Sequence, residues 1–479
     1  MADQDNKKQQ DVTKKKSSQK NSSKKNSSKK KTTTKTTESA AVVTKSKSSS
    51  NRYGRRAVYI VDGARTPQLK ARGKQGPFSA ADLAVGCSRP LLARQNFDPT
   101  SIDEVIMGCV MPSADEANIA RILGLRLNCG KDVPAYTVQR NCASGMQALD
   151  NAAQSIAIRR SELVLAGGVE SMSRAPVMLN SYMVNWLGDW MRAKTISQKV
   201  KAIGNLRPNY FAPIIGLLRG LSDPVNGLSM GQTAEIIADK FNITREMMDE
   251  YAVQSHHRLS NAQDSNYLSE VETIYDTNGN FYDHDDGVRR DSDMQGLAKL
   301  KPVFDRPFGN VTAGNSAQIT DGASVLLLAS EKALKEHNLT PMAQILDCEW
   351  AGLEPAQMGL GPVHAISPIL QRNKYSLNDI DYFEINEAFA AQVLACRAAW
   401  QDEKYCKEEL KLNSTLGELS MDKLNIDGGG VSIGHPVGAS GARIVLHLMH
   451  ILERTKSNRG IASLCIGGGQ GGAMLIERV

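Results

Sequence analysis

Apolar positions recur at spacings of three and four in two distant parts of the chain. Met146, Leu149, Ala153 and Ile156 mark one face of a helix opening at Cys142-Ala-Ser-Gly-Met-Gln-Ala-Leu149. Ile444, Leu446, Leu448 and Ile451 make a second helix, opening at Gly438-Ala-Ser-Gly-Ala-Arg-Ile-Val445, apolar nearly all round and hence buried. After each helix a short apolar run ends in glycines, Glu162-Leu-Val-Leu-Ala-Gly-Gly168 and Ile461-Ala-Ser-Leu-Cys-Ile-Gly-Gly-Gly469. Before each sits another similar pair, Ile102-Asp-Glu-Val-Ile-Met-Gly-Cys109 and Ile380-Asp-Tyr-Phe-Glu-Ile-Asn-Glu387. Three matched pairs in the same order predict an α/β protein of two similar halves.

The first half spans 56–330 and the second 340–479, and residues 171–300 of the first half read as an insertion of loops and polar helices over a site. Residues 1–50 stand apart. They carry 14 Lys, no Arg and four acids, with no aromatic residue, a composition that predicts a disordered tail. Their charge of +10 exceeds the +7 of the whole chain, leaving −3 for residues 51–479, so the basicity belongs to the tail. A solvated tail is the reading preferred over nucleic-acid binding. It lacks the apolar core of a secretory signal and the Arg-rich pattern of a transit peptide. The eight cysteines have neither CxxC pairs nor the spacing of a disulfide framework or zinc site, which suits a reducing cytoplasm. No apolar run is long enough for a transmembrane helix.

Cys142 stands where a strand over Tyr136 to Arg140 gives way to a helix. Backbone N–H groups and the helix dipole there are expected to lower its thiol pKa. In the second half, Gly428-Gly-Gly-Val-Ser-Ile-Gly-His-Pro-Val-Gly-Ala-Ser-Gly441 places His435 in a glycine-dense turn, with Pro436 fixing the chain after it. Cys465 lies at the carboxyl end of the last core run, where open α/β sheets put their ligand sites. His256 and His257 point to opposite sides of a local element and make a poor metal site. Asp283-His-Asp-Asp286 reads as a solvated loop.

Four blocks, Asn141-Cys-Ala-Ser-Gly145, Asn386-Glu-Ala-Phe389, Gly434-His-Pro436 and Cys465-Ile-Gly467, together resemble the signatures of thiolases, in the family's order, over residues 56–479. The resemblance implies a duplicated five-layer α/β/α/β/α architecture with an inserted loop domain. It also implies a ping-pong reaction in which Cys142 is acylated, coenzyme A is a substrate, and no cofactor or metal is bound. His435 would activate Cys142 and then CoA, and Cys465 would exchange a proton with acetyl-CoA. Asn386 with His435 would form one oxyanion hole through a water, and the backbone N–H groups of Cys142 and Gly467 the other. Met230 and Met358 resemble acyl-pocket methionines. Thr312-Ala-Gly-Asn-Ser316 resembles the loop touching pantetheine, but many members read Asn-Ala-Ser where this chain has Asn315-Ser316-Ala317. Ser316 would make that contact from one position earlier.

Residues 181–221 put Trp186 and Trp190 one helical turn apart. Ile196, Val200 and Ile203 follow, interleaved with Arg192, Lys194, Lys199 and Lys201, a pattern of either a membrane-surface helix or a hairpin packed on protein. This insertion, Leu300-Lys-Pro-Val-Phe-Asp-Arg306 and residues 401–424 resemble the thiolase subunit of the fatty-acid oxidation trifunctional complex. Asn386 departs from that group, which commonly has His. The resemblance implies a homodimer or tetramer, an enoyl-CoA hydratase/3-hydroxyacyl-CoA dehydrogenase partner, and a cytoplasmic place with peripheral contact on the inner membrane face. Three functions fit: a degradative 3-ketoacyl-CoA thiolase of β-oxidation, which leads; an acetyl-CoA C-acetyltransferase; and a non-catalytic membrane-surface scaffold.

Overall fold

The longest strand, Thr320–Ser330, serves two cores at once. Val325 and Leu327 face one apolar cluster while Leu326 and Leu328 face another, as the two-residue period of a strand requires. This is a computed structural model, and it describes residues 53, 54 and 56–479; the tail expected over 1–50 lies outside them.

Hydrogen bonding links the main strands of the described residues in one path: Ala135–Val138, Glu104–Gly108, Leu163–Ser171, Thr320–Ser330, Val58–Arg65, Ala343–Gly352, Gln470–Arg478, Arg459–Ile466, Tyr382–Ile385. The path reads alike from its middle outward. Val58–Arg65 and Ala343–Gly352 meet antiparallel at the join, with Ile60 opposite Ala343 and Val58 opposite Ile345. On each side an antiparallel pair is followed by a parallel one, Leu163–Ser171 with Glu104–Gly108 and Arg459–Ile466 with Tyr382–Ile385.

Three apolar clusters separate five layers. Helices Ala80–Ala93 and Ile119–Arg126 cover the outer face of the first half through Leu83, Leu91 and Leu123. Helices Ser144–Ala157 and Val437–Thr455 fill the middle, where Met146, Leu149, Ile156, Ile444 and Leu448 are fully buried between both halves of the sheet. Helices Gly361–Asn373 and Ala390–Gln401 cover the second half through Ile366, Leu370 and Val393. This is the five-layer α/β/α/β/α arrangement expected.

The two middle helices cross at glycines. A Cβ on Gly145 would come within 2.9 Å of the Gly438 carbonyl oxygen and the Ala442 nitrogen, and one on Gly441 within 2.7 Å of the Met146 nitrogen. Gly168 belongs to the same contact, while its neighbour Gly167 lies against the adjacent strand Thr320–Ser330. The glycine run does not end the strand, which continues to Ser171; the glycines are there because a Cβ on Gly168 would meet the Gly438 carbonyl and one on Gly167 the Ser324 backbone.

In the insertion, helices Ser181–Arg192 and Ile196–Gly204 form a hairpin, held by Trp186 Nε1 donating to the Ala202 carbonyl at 2.8 Å. The segment 283–286 is a loop exposed at Asp283 and His284, as expected, but not at Asp285. Asp285 is fully buried against the equally buried Arg65, which donates to it from Nη1 at 2.7 Å and Nη2 at 2.9 Å, since a guanidinium in a core needs a paired carboxylate.

Candidate active site

The turn that carries Cys142 is built by its neighbours. Asn141 takes a left-handed φ of 43°, which an asparagine tolerates, and the nitrogens of Ala143 and Ser144 donate back to the carbonyls of Arg140 and Asn141 at 3.0 Å each. Ser144 Oγ accepts from the Arg140 nitrogen at 2.9 Å and donates to the Asn141 carbonyl at 2.7 Å. From the other half, the Gly467 carbonyl accepts from Asn141 Nδ2 at 2.8 Å.

His435 follows Gly434, whose φ of 106° suits glycine and whose missing Cβ makes room for Thr320. The His435 nitrogen donates to the Gln318 carbonyl at 3.0 Å. Its Nδ1 lies 2.6 Å from Ser440 Oγ and 3.5 Å from Asn386 Nδ2, while Nε2 is buried without a hydrogen-bond partner among the described residues.

A cavity of about 170 Å³ brings these elements together. Of the residues singled out in the sequence, Cys142, His435, Cys465, Met230, Met358 and Ser316 line it. Asn386 does not, being fully buried behind His435. Gly467 is outside the lining too, although a Cβ there would lie 3.3 Å from Met230 Sδ. Ser316 Oγ already donates to the Thr312 carbonyl at 2.6 Å, so it faces the cavity as an acceptor. Several wall residues went unnoticed in the sequence, among them Met172, Leu221 and Phe304. Phe304 packs across Gly231 and meets Phe389 edge-on at 5.9 Å between ring centres. No spacing rule signals such contacts.

Burial governs the chemistry. The Cys142 thiol is raised above its ordinary pKa, not lowered as the helix terminus suggested. Removal from water outweighs the hydrogen bonds its sulfur accepts from the backbone of Gly467 and its own residue, and the charge of Glu170 adds to the rise. Cys465 is pushed well above it by burial and by Cys142 close by. Burial, with the charge of Arg443, lowers His435 to about 4. At neutral pH the site therefore holds two thiols and a neutral imidazole, an acceptor beside donors. Glu170, another residue missed, is raised to about 7 by burial. It joins the halves by accepting from the nitrogens of Val110 and Met111 at 2.9 Å and of Gly438 at 3.0 Å.

Comparison with known proteins decides the family. Residues 58–332 match the family described as thiolase, N-terminal domain, and 339–478 match thiolase, C-terminal domain. The chain belongs to the thiolase family. Human mitochondrial 3-ketoacyl-CoA thiolase is 36% identical to this thiolase over 427 residues, which are 88% of this chain and 98% of the human one. Among solved structures, the acetyl-CoA acetyltransferase of Bacillus anthracis has a TM-score of 0.76 at 36% identity, covering 88% of this chain and 99% of its own. The human mitochondrial enzyme in complex with CoA has a TM-score of 0.75 at 36% identity, covering 88% and 98%. Thiolases are acyltransferases that take CoA as substrate, so this chain is an enzyme of that class.

Proposed function

We propose that this thiolase cleaves 3-ketoacyl-CoA with CoA, giving acetyl-CoA and a shortened acyl-CoA, in fatty-acid β-oxidation. The observation that carries it is the convergence of Cys142, the unpartnered Nε2 of His435 and Cys465 on one apolar cavity. His435 Nε2 takes the Cys142 proton, the sulfur attacks the ketone carbon, and the bond to the α-carbon breaks. The departing acetyl-CoA carbanion takes the Cys465 proton, and Cys465 regains one from the imidazolium. His435 then deprotonates incoming CoA, whose thiolate displaces Cys142, and the released sulfur takes that proton back from His435. Developing oxyanions are met by Asn386 and His435, acting through a water, and by the nitrogens of Cys142 and Gly467. Met230, Met358 and Ser316 form the walls for acyl chain and pantetheine. The donor set needs no metal and no further cofactor.

Other features support a wider setting. Ala135–Val138 is an edge strand with half-exposed residues, suited to pairing in a homodimer or in a tetramer of two such dimers. On the insertion hairpin, Val184, Leu187, Met191, Ile196, Val200 and Ile203 are exposed beside Arg192, Lys194, Lys199 and Lys201. Among the described residues no helix is long and apolar enough to cross a membrane. The hairpin instead suits contact with an anionic surface from the cytoplasmic side. We place the protein there, beside a hydratase/dehydrogenase subunit.

The test is CoA-dependent thiolysis of 3-ketoacyl-CoA substrates of short, medium and long chain, with Cys142→Ala as control. Rates that persist toward long chains and vanish in the control are expected. Activity confined to acetoacetyl-CoA would make the enzyme an acetyl-CoA C-acetyltransferase, and none at all would return the scaffold reading.

A further inference from the structure

The duplicated Ala-Ser-Gly places a serine in the first turn of each middle helix, Ser144 and Ser440. Both are fully buried, and each holds the turn before its own helix. Ser144 clamps the backbone around Cys142 from both sides, accepting from Arg140 and donating to Asn141. Ser440 has the same kind of backbone partner, since its Oγ donates to the Pro436 carbonyl at 3.1 Å. Its second contact, however, is the His435 ring, with Nδ1 at 2.6 Å.

A hydroxyl has one proton. Given to the Pro436 carbonyl, it leaves only lone pairs toward His435, so Nδ1 must carry the ring proton and Nε2 must be bare. The opposite assignment turns the serine proton onto Nδ1 and puts the ring proton on Nε2. That N–H would point, without a partner among the described residues, into a cavity whose thiols are themselves donors. A bare Nε2 instead faces a cavity where the Cys142 thiol is a donor. Asn386 Nδ2, at 3.5 Å from Nδ1, is at the limit of a hydrogen bond and does not compete with the 2.6 Å contact.

We infer that Ser440 is a positioning residue that holds His435 in its Nδ1-protonated tautomer, so that Nε2 is always the base. When Nε2 takes the thiol proton, the imidazolium keeps its Nδ1–H on Ser440 Oγ, and the serine keeps its own proton on the Pro436 carbonyl. No other proton moves. The inference rests on His435 acting as the base in the function proposed above.

Selective ¹⁵N labelling of histidine in the intact wild-type enzyme reads the tautomer directly, with His435→Ala used to assign the signal. Protonation at Nδ1 is expected, and protonation at Nε2 overturns the inference whatever any variant does. Kinetically, Ser440→Ala should lower kcat about 100-fold, the scale of a general base, with KM within about twofold. Ser440→Thr, which keeps the hydroxyl, should recover most of it. A Ser440→Ala enzyme within about threefold of wild-type kcat, beside a dead His435→Ala, would sink the role of Ser440 alone. A fully active His435→Ala would instead sink the function reading on which it rests.

Discussion

Asn141 and Gly467 join the two halves at the reacting end of the site, the amide nitrogen of one donating to the carbonyl of the other at 2.8 Å. Each lies beside a thiol, Asn141 next to Cys142 and Gly467 two residues after Cys465. The bond therefore ties together the two turns that carry the sulfurs.

Asn141→Ala should damage both stability and rate. It leaves the Gly467 carbonyl without this donor and forces alanine into a left-handed φ of 43°. Together these cost about 1–3 kcal/mol. Urea unfolding should show that loss, and steady-state thiolysis a fall in kcat of more than about tenfold. An unchanged kcat would mean that the cross-half bond does not set the geometry of the turn.

The ionisation of Cys142 and His435 gives two signs to check. With the thiol raised, the free enzyme at neutral pH should show no thiolate absorbance beyond that of Cys142→Ser, and the difference should grow only on the alkaline side of the ordinary thiol range. A thiolate already present at pH 7 would refute this. His435 is lowered from 6.5 to about 4, so between those values the unfolded chain binds the extra proton. Its contribution to stability is fully present above 6.5 and is lost as pH falls to about 4. The unfolding free energy of wild type minus that of His435→Ala should fall across this window by up to about 3 kcal/mol.

Val200→Glu with Ile203→Glu should separate surface contact from catalysis. Both residues are more than half exposed on the insertion hairpin, and neither lines the cavity. Flotation with anionic vesicles at low salt should recover the wild type and not the double variant, with equal thiolysis by both. Equal recovery would place the contact elsewhere.

Local pattern carried much of this molecule. The spacing of Met146, Leu149, Ala153 and Ile156, and its echo after Gly438, predicted the two middle helices, and those residues are buried in them. What escaped depends on contacts between distant residues. Gly167 and Gly168 looked like the end of a strand, because the backbone pressed against them comes from residues 324 and 438. Asp285 looked solvated because its partner, Arg65, lies 220 residues away. The Cys142 thiol was assigned the wrong shift for the same reason. A helix terminus is visible in the sequence, but the burial that raises the thiol is not, since other residues of its cavity, Met172, Leu221 and Phe304, belong to distant segments.

At the glycine crossing of the middle helices the backbones that carry Cys142 and His435 come into direct contact. Side chains can change rotamer to absorb strain; touching main chains cannot, so this spacing is nearly incompressible. The cavity walls at Met230, Phe304 and Met358 sit on other elements. Substrate range can therefore drift by substitution in those walls while the reacting groups stay in register, which gives one scaffold two separately adjustable traits.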